Sequence, residues 1–336
     1  MSLDQYDFTE VIATENINKL FEKSVSAKMP FMVFKTPEGK IDLAHSDDQR
    51  NFIIKPWQQA SFSLNSFKST KEFPLPTETS KEDYTVAFNR YQEAFRSRNL
   101  QKGILSCVIR QEKPQSFDPI EFFIGLCEAY PSAFSYLLYH PEVGIWCGAS
   151  PEVLLEGKGE EFSTVALAGT QSANSSHHYQ WGAKEREEQE LVSQHIREVL
   201  EQIEAQKIEE SKPETVQAGE VVHLKTDFRF TYRKKIKPLL DQLHPTPAVA
   251  GLPVKDSISL IEEVENHRRS LYTGYIGILS EEESRVFVNL RCMQIGKKEL
   301  ALYVGGGITA KSDLESEWQE TRLKAKTLLN LLKSTT

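Results

Sequence analysis

Apolar residues return along this chain in two rhythms, and the rhythm changes several times. Tyr84, Phe88, Tyr91 and Phe95 recur every three to four positions, which predicts a helix over residues 83–100. Val192, Ile196, Val199 and Ile203 repeat that spacing behind Lys184, and Leu328 and Leu331 do so behind Glu315. Elsewhere the apolar runs are short and bounded by turn residues. Residues 30–45 read as a hairpin turning at Pro37-Glu38-Gly39, and residues 103–109 as a buried strand. Residues 134–139 and 143–149 form neighbouring strands. So do 286–295 and 300–305, across Gly296-Lys297-Lys298, with Arg291 in mid-strand. The tract from Glu204 to Lys212, stopped by Pro213, is charged enough to predict a solvated loop. Residues 59–82, rich in Ser, Thr and Lys with Pro74 and Pro76, predict a surface connection. Strands joined by short turns imply antiparallel sheets with helices between them, an α+β protein. No repeat or low-complexity linker divides it. The expectation is a single domain over 1–336, least informative before residue 83.

Polar residues on the apolar stripes carry the chemistry. Glu185 and Glu188 lie in line with Val192, Ile196, Val199 and Ile203; Glu317 and Glu320 lie in line with Thr321, Lys324, Leu328 and Leu331. Desolvating an unpaired carboxylate costs several kcal/mol, so four inward carboxylates ask for a cation. An all-oxygen set suits Mg²⁺; the plainer alternative is two Glu-rich helix surfaces. Lys102 opens an apolar strand, where burial disfavours its charged form and suits a general base, or it is a strand-end lysine reaching solvent. Glu152, after a nearly continuous apolar strand, is placed to have a raised pKa and act as a general acid. Gly169 and the run Gly305-Gly306-Gly307 follow strands and let backbone N–H groups approach an anion, although neither forms a phosphate loop. Arg291 among apolar neighbours needs a carboxylate, from a substrate or from a salt bridge. His223-Leu224-Lys225-Thr226 and His244-Pro245-Thr246-Pro247 flank a basic helix; His244 reads as structural, and His177-His178 as loop residues.

Bulk properties narrow the partners. The 336 residues are 39% apolar and 26% charged, with net charge −8 and pI near 5.6, which argues against nucleic acid as a partner. No apolar run approaches the ~20 residues of a membrane span, and the first residues lack signal-peptide order. Cys107, Cys127, Cys147 and Cys292 are dispersed, which argues against a disulfide framework and for a reducing cytoplasm.

In order along the chain stand Gly148-Ala149-Ser150-Pro151-Glu152, Leu167-Ala168-Gly169-Thr170, Lys184-Glu185-x-x-Glu188, His223-Leu224-Lys225-Thr226, His244-Pro245-Thr246-Pro247-Ala248, Gly305-Gly306-Gly307-Ile308 and Glu317-x-x-Glu320-Thr321. This series resembles the chorismate-utilising enzymes: isochorismate synthase, salicylate synthase, anthranilate synthase component I and aminodeoxychorismate synthase. The resemblance covers roughly residues 83–332. It implies two antiparallel sheets flanked by helices, with the site in the cleft between them. It further implies that Glu188 and Glu320 ligate Mg²⁺ with Glu185 and Glu317 in support, and that the ion grips the ring carboxylate of chorismate. Arg291 and the Gly305 backbone would hold the enolpyruvyl carboxylate, with Lys324 and Gly169 completing the anion site. His223 would line the pocket, and Thr170, Thr226, Ala248 and Gly306 carry over as substrate positions.

Within that family, Lys102 favours water as nucleophile, because ammonia needs no base. Ala168 stands where aminodeoxychorismate synthases carry a nucleophilic lysine, and Ala248 where salicylate synthases tend to have threonine. Both point to isochorismate synthase, with a salicylate-forming lyase, an ammonia-using enzyme and a silent chorismate-binding protein as alternatives. The expected product could feed menaquinone or a siderophore. The expectation is a monomer with no obligatory glutaminase partner. Cys107 departs from the arginine that relatives usually place after Leu-Ser.

Overall fold

The computed structural model describes residues 14–39, 41–45, 51–58, 62–63, 74–98, 100–173, 179–218, 221–279 and 283–334. The first elements are α1 (Thr14–Ala27), β1 (Phe31–Lys35), β2 (Ile41–His45), β3 (Asn51–Lys55), β4 (Phe62–Ser63) and α2 (Lys81–Ser97). Next come β5 (Lys102–Glu112), α3 (Pro119–Ala129), β6 (Phe134–His140), β7 (Gly144–Ser150), β8 (Val153–Lys158) and β9 (Glu161–Ser172). They are followed by α4 (Ala183–Gln202), β10 (Gln206–Glu210), β11 (Glu214–Ala218), β12 (Val221–Thr231) and α5 (Ile236–Leu243). The chain continues with β13 (Gly251–Leu252), α6 (Val254–Val264), β14 (Tyr275–Leu279), β15 (Ser284–Val288), β16 (Cys292–Ile295), β17 (Glu299–Ile308) and α7 (Leu314–Ser334).

Two sheets result. One has eight strands in the order β13-β5-β17-β16-β7-β6-β1-β2; the other has nine, of which eight run β10-β12-β9-β8-β15-β14-β3-β4, with β11 also on β12. Strand alternation splits β1 between two cores: Phe31 and Val33 point to the helices, Met32 and Phe34 to the opposite sheet. Between the sheets Phe34 meets Phe52 edge-on at 5.5 Å, and Phe134 of β6 stacks on Phe287 of β15 at 4.5 Å. Helices α2, α3, α6 and α7 cover the outer face of the eight-stranded sheet; α4 and α5 cover the other. No described helix is long and apolar enough to cross a membrane.

The chain passes between the sheets at two corners that lie side by side. From β7 to β8 it turns at Pro151-Glu152, and from β15 to β16 at residues 289–291. Ala149 N–H donates to Arg291 O at 3.2 Å and Val288 N–H to Glu152 O at 3.0 Å, while the Ser150 hydroxyl donates to Val288 O. The corners fit this closely because Gly148 has no side chain; a Cβ there would lie 2.8 Å from that of Cys292. The expected strand over 286–295 is therefore two strands in different sheets. Arg291 is at the corner, with φ of +48°, not in mid-strand. Similarly, Gly169 and Gly305-Gly306-Gly307 lie within β9 and β17 instead of following them. The charged tract at 204–212 contains β10, whose five side chains are all exposed. Its backbone bonds to β12 need no buried side chains, and charge on an edge strand discourages further pairing. The surface connection expected over 59–82 holds β4, irregular backbone at 74–80 and the start of α2; the stretch 64–73 and His177-His178 lie outside the described residues.

Beyond its pairing with β13, the free edge of β5 is satisfied by side chains. Arg269 Nη2 donates to Ile104 O at 2.9 Å, Ser106 N–H to Glu265 Oε1 at 2.8 Å, and Val108 N–H to Thr79 Oγ1 at 3.0 Å. Burial would raise the Glu265 carboxyl, but Arg269, 2.6 Å away, outweighs it and holds the group below its usual value. The segment that follows includes Ser270 at φ +50°, with its carbonyl fixed by Trp57 N–H at 2.7 Å. A left-handed conformation is costly for a residue with a Cβ. Ser270→Gly should raise stability by about 0.5–1 kcal/mol after allowance for the freer unfolded glycine. Urea denaturation with an unchanged midpoint would contradict this.

Candidate functional site

Apart from Ala248, the expected residues come from β5, β9, β12, β17, α4, α7 and the two corners. Lys102 begins β5, paired to Leu252, and is 8% exposed. Its side chain crosses Gly307, where an added Cβ would be 3.0 Å from Lys102 Cε and 3.7 Å from Nζ. Glu152, at the first corner, is 9% exposed. Burial pushes its carboxyl up to about 7, and the positive charge of Lys102 offsets part of that rise, so the two groups sense each other. At the second corner, burial lowers the Arg291 pKa, and the Tyr130 ring faces the guanidinium at 6.0 Å.

Opposite stand β9 and β12. Gly169, at φ +67°, is the extra residue of a bulge where pairing steps from His223↔Thr170 to Leu224↔Ala168. Its carbonyl meets His223 Nδ1 at 3.1 Å. Burial first, then the charges of Arg291 and Lys324, pull the His223 pKa down to about 4, so the ring is neutral at pH 7. A carbonyl can only accept, which puts the proton on Nδ1 and leaves Nε2 as an acceptor. Because Arg291, Lys324 and Glu320 all act on this imidazole, both sheets and α7 meet here.

Helix α7 contributes Glu317, Glu320 and Lys324. A Cβ on Gly306 would lie 3.4 Å from Glu317 Oε2 and 3.6 Å from Glu320 Oε1, so the glycine leaves room beside both carboxylates. Lys324 Nζ donates to Gly305 O at 2.8 Å and pairs with Glu320 Oε1 at 2.7 Å. On α4, Glu188 is partly buried, while the Glu185 carboxylate turns back toward its N-cap residue, Gly182. The expected cage of four carboxylates is not assembled. Among the described residues, no three His, Cys, Asp or Glu side chains stand close enough to hold a metal ion. Like charges repel, and Lys324 already neutralises Glu320. The donor type still suits a hard cation, since Glu185, Glu188, Glu317 and Glu320 all offer carboxylate oxygen.

Thr226 does not join the site. In β12 it faces opposite to His223, is fully buried, and accepts from Gln189 Nε2 at 2.9 Å, fastening α4 to the sheet. The side chain of Thr170 lies outside the described residues. Ala248 is in the turn at residues 247–249, three residues before Gly251, which pairs with Gly103 beside Lys102. His244 is structural as expected: its Nε2 bonds to Thr273 O at 2.8 Å. The sequence reading missed Tyr272 and Tyr130. The Tyr272 hydroxyl would stand 2.9 Å from a Cβ on Gly305. Tyr130 caps α3 and Tyr272 lies in the turn that closes at Gly274, segments in which the sequence shows none of the motifs that mark the other candidates.

The architecture is a sandwich of two antiparallel sheets with a polar site where they exchange strands. The chain belongs to the chorismate-binding enzyme family, whose model, described as "Chorismate binding enzyme", matches residues 36–333. Isochorismate synthase EntC of Escherichia coli (strain K12) is 30% identical over 241 residues, which is 68% of this chain and 62% of that protein. The chain thus spans less than two thirds of that relative's length. Isochorismate synthase MenF of Haemophilus influenzae is 26% identical over 324 residues, 89% of this chain and 74% of that protein. The solved structure of MenF, the menaquinone-specific isochorismate synthase from Escherichia coli, shares the fold with a TM-score of 0.78. That match covers 90% of this chain and 88% of the other at 22% identity.

Proposed function

We propose that this chain is an isochorismate synthase, reversibly converting chorismate to isochorismate. The observation that carries this reading is the placement of two buried groups, Glu152 at the corner between the sheets and Lys102 across Gly307, close enough for the charge of one to act on the other. In its uncharged form, Lys102 takes a proton from a water molecule as that water attacks C2 of the ring. Glu152, in its protonated form, gives its proton to the C4 hydroxyl, which leaves as water while the double bonds shift. Lys102 ends protonated and Glu152 ionised, and exchange with solvent resets both. Arg291, Lys324 and the Gly305 backbone receive the enolpyruvyl carboxylate, and neutral His223 offers Nε2 as an acceptor beside the ring. Glu188 and Glu320 would hold Mg²⁺, supported by Glu185 and Glu317. When bound, the ion would neutralise and orient the ring carboxylate. The chain is read as acting alone in the cytoplasm, in keeping with four buried free thiols.

The test is incubation with chorismate and Mg²⁺, resolving isochorismate, salicylate and pyruvate by chromatography. Isochorismate without pyruvate or an ammonium requirement is expected; stoichiometric pyruvate would instead select the salicylate-forming lyase. Chelation with EDTA should abolish turnover and weaken chorismate binding measured by calorimetry, and added Mg²⁺ should restore both. Full activity of the chelated protein would remove the metal from this scheme.

A further inference from the structure

The turn after α3 is pinned from β1, the strand paired to the β6 that it leads into. Lys35, the last residue of β1, is 1% exposed, and its ammonium donates to the carbonyls of Pro131 at 2.7 Å, Thr36 at 3.3 Å and Ala133 at 3.4 Å. An ammonium has three donors, and three carbonyls take them. The turn also closes on itself, Ala133 N–H donating to Tyr130 O at 3.1 Å. Tyr130 is thereby held at both ends. Its N–H donates to Leu126 O at 3.0 Å, and its hydroxyl to Thr327 O of α7 at 3.0 Å. The ring fixed in this way faces Arg291, its centroid 6.0 Å from the guanidinium carbon, at the outer reach of a cation–π contact.

We infer that Tyr130 is a positioning residue for Arg291: its ring, clamped between the turn held by Lys35 and α7, sets where the guanidinium points and so how the carboxylate of an anionic substrate is received. This rests on the reading of Arg291 as a carboxylate receptor. A bidentate fork tolerates little misdirection, whereas the proton transfers at Lys102 and Glu152 do not pass through Tyr130. Losing the ring should therefore act on substrate capture and spare the chemical step.

The experiment is a double-mutant cycle on the full chain, with KM for chorismate and kcat measured separately. Tyr130→Leu should raise KM three- to tenfold with kcat within twofold, and Tyr130→Phe, which keeps the ring but loses its bond to Thr327 O, should raise KM by less than the Leu variant, again with kcat within twofold. Arg291→Ala should raise KM further, and adding Tyr130→Leu to it should change nothing more, because partners acting through one contact are not additive. Melting curves establish that each variant is folded, with Tyr130→Met replacing a Leu variant that is not. Independent, additive effects of Tyr130→Leu and Arg291→Ala, or a Phe variant that behaves like Leu, would overturn the inference while leaving the role of Arg291 intact. An Arg291→Ala protein with unchanged KM would overturn the receptor reading and the inference with it.

Discussion

Lys102→Ala is expected to lower kcat by on the order of 10²–10⁴, the contribution of one positioned general base, while chorismate still binds. The backbone at Lys102 pairs with Leu252 through strand geometry that alanine preserves, so the fold should survive. What disappears is the side chain over Gly307 and its charge. That charge also pulls down the Glu152 pKa, which burial otherwise raises. The variant should therefore shift the titration of Glu152 above about 7, detectable by infrared spectroscopy of the buried carboxyl. Normal turnover by Lys102→Ala would refute the proposed mechanism.

Glu152→Gln should be nearly inactive and, at alkaline pH, more stable than the unaltered chain. The carboxyl has a reference value of 4.5 and titrates near 7 in the folded protein, so the folded state binds this proton more tightly. Below 4.5 the group is protonated folded and unfolded, and costs nothing. Between 4.5 and 7 stability falls as pH rises, and above 7 the full penalty applies, roughly 3 kcal/mol at 1.36 kcal/mol per unit. Glutamine keeps the shape without the charge and should recover much of that by urea denaturation at pH 8, with little difference at pH 4. Activity runs the same way: the proton-donating form is lost as pH rises through about 7. A Gln variant with the same stability-versus-pH slope as the parent would show that Glu152 is not the titrating group.

Much of this molecule is legible in its residues, and what is not has physical causes. The helices on Tyr84, Phe88 and Tyr91 and on Val192, Ile196 and Val199 appear because one buried face imposes a regular spacing. The strand over 286–295 was misread because both sheets demand apolar residues, so a chain passing from one to the other shows no break in hydrophobicity. Its corner shows in the positive φ of Arg291 and in strand pairing that changes sheets, neither of which is written in hydrophobicity. The bulge at Gly169 depends on register with β12, a property of two strands together. The acidic stripe puts Glu317 and Glu320 on one face of a helix, and the structure sets that face beside Gly306, but periodicity is silent on how far α4 lies from α7. Lys35 shows the reverse difficulty. A lysine ending a hairpin strand looks like ordinary solvent charge, and only the carbonyls of a turn almost a hundred residues away make it an interior group.

The adjoining turns at Glu152 and Arg291 have one further meaning. Because their main chains are stitched together, any tilt of one layer against the other would carry the proposed proton donor and the proposed carboxylate receptor as a single rigid piece. A descendant of this protein could not easily retune the spacing between those two groups. Its route to a new reaction would be to exchange side chains around a fixed frame.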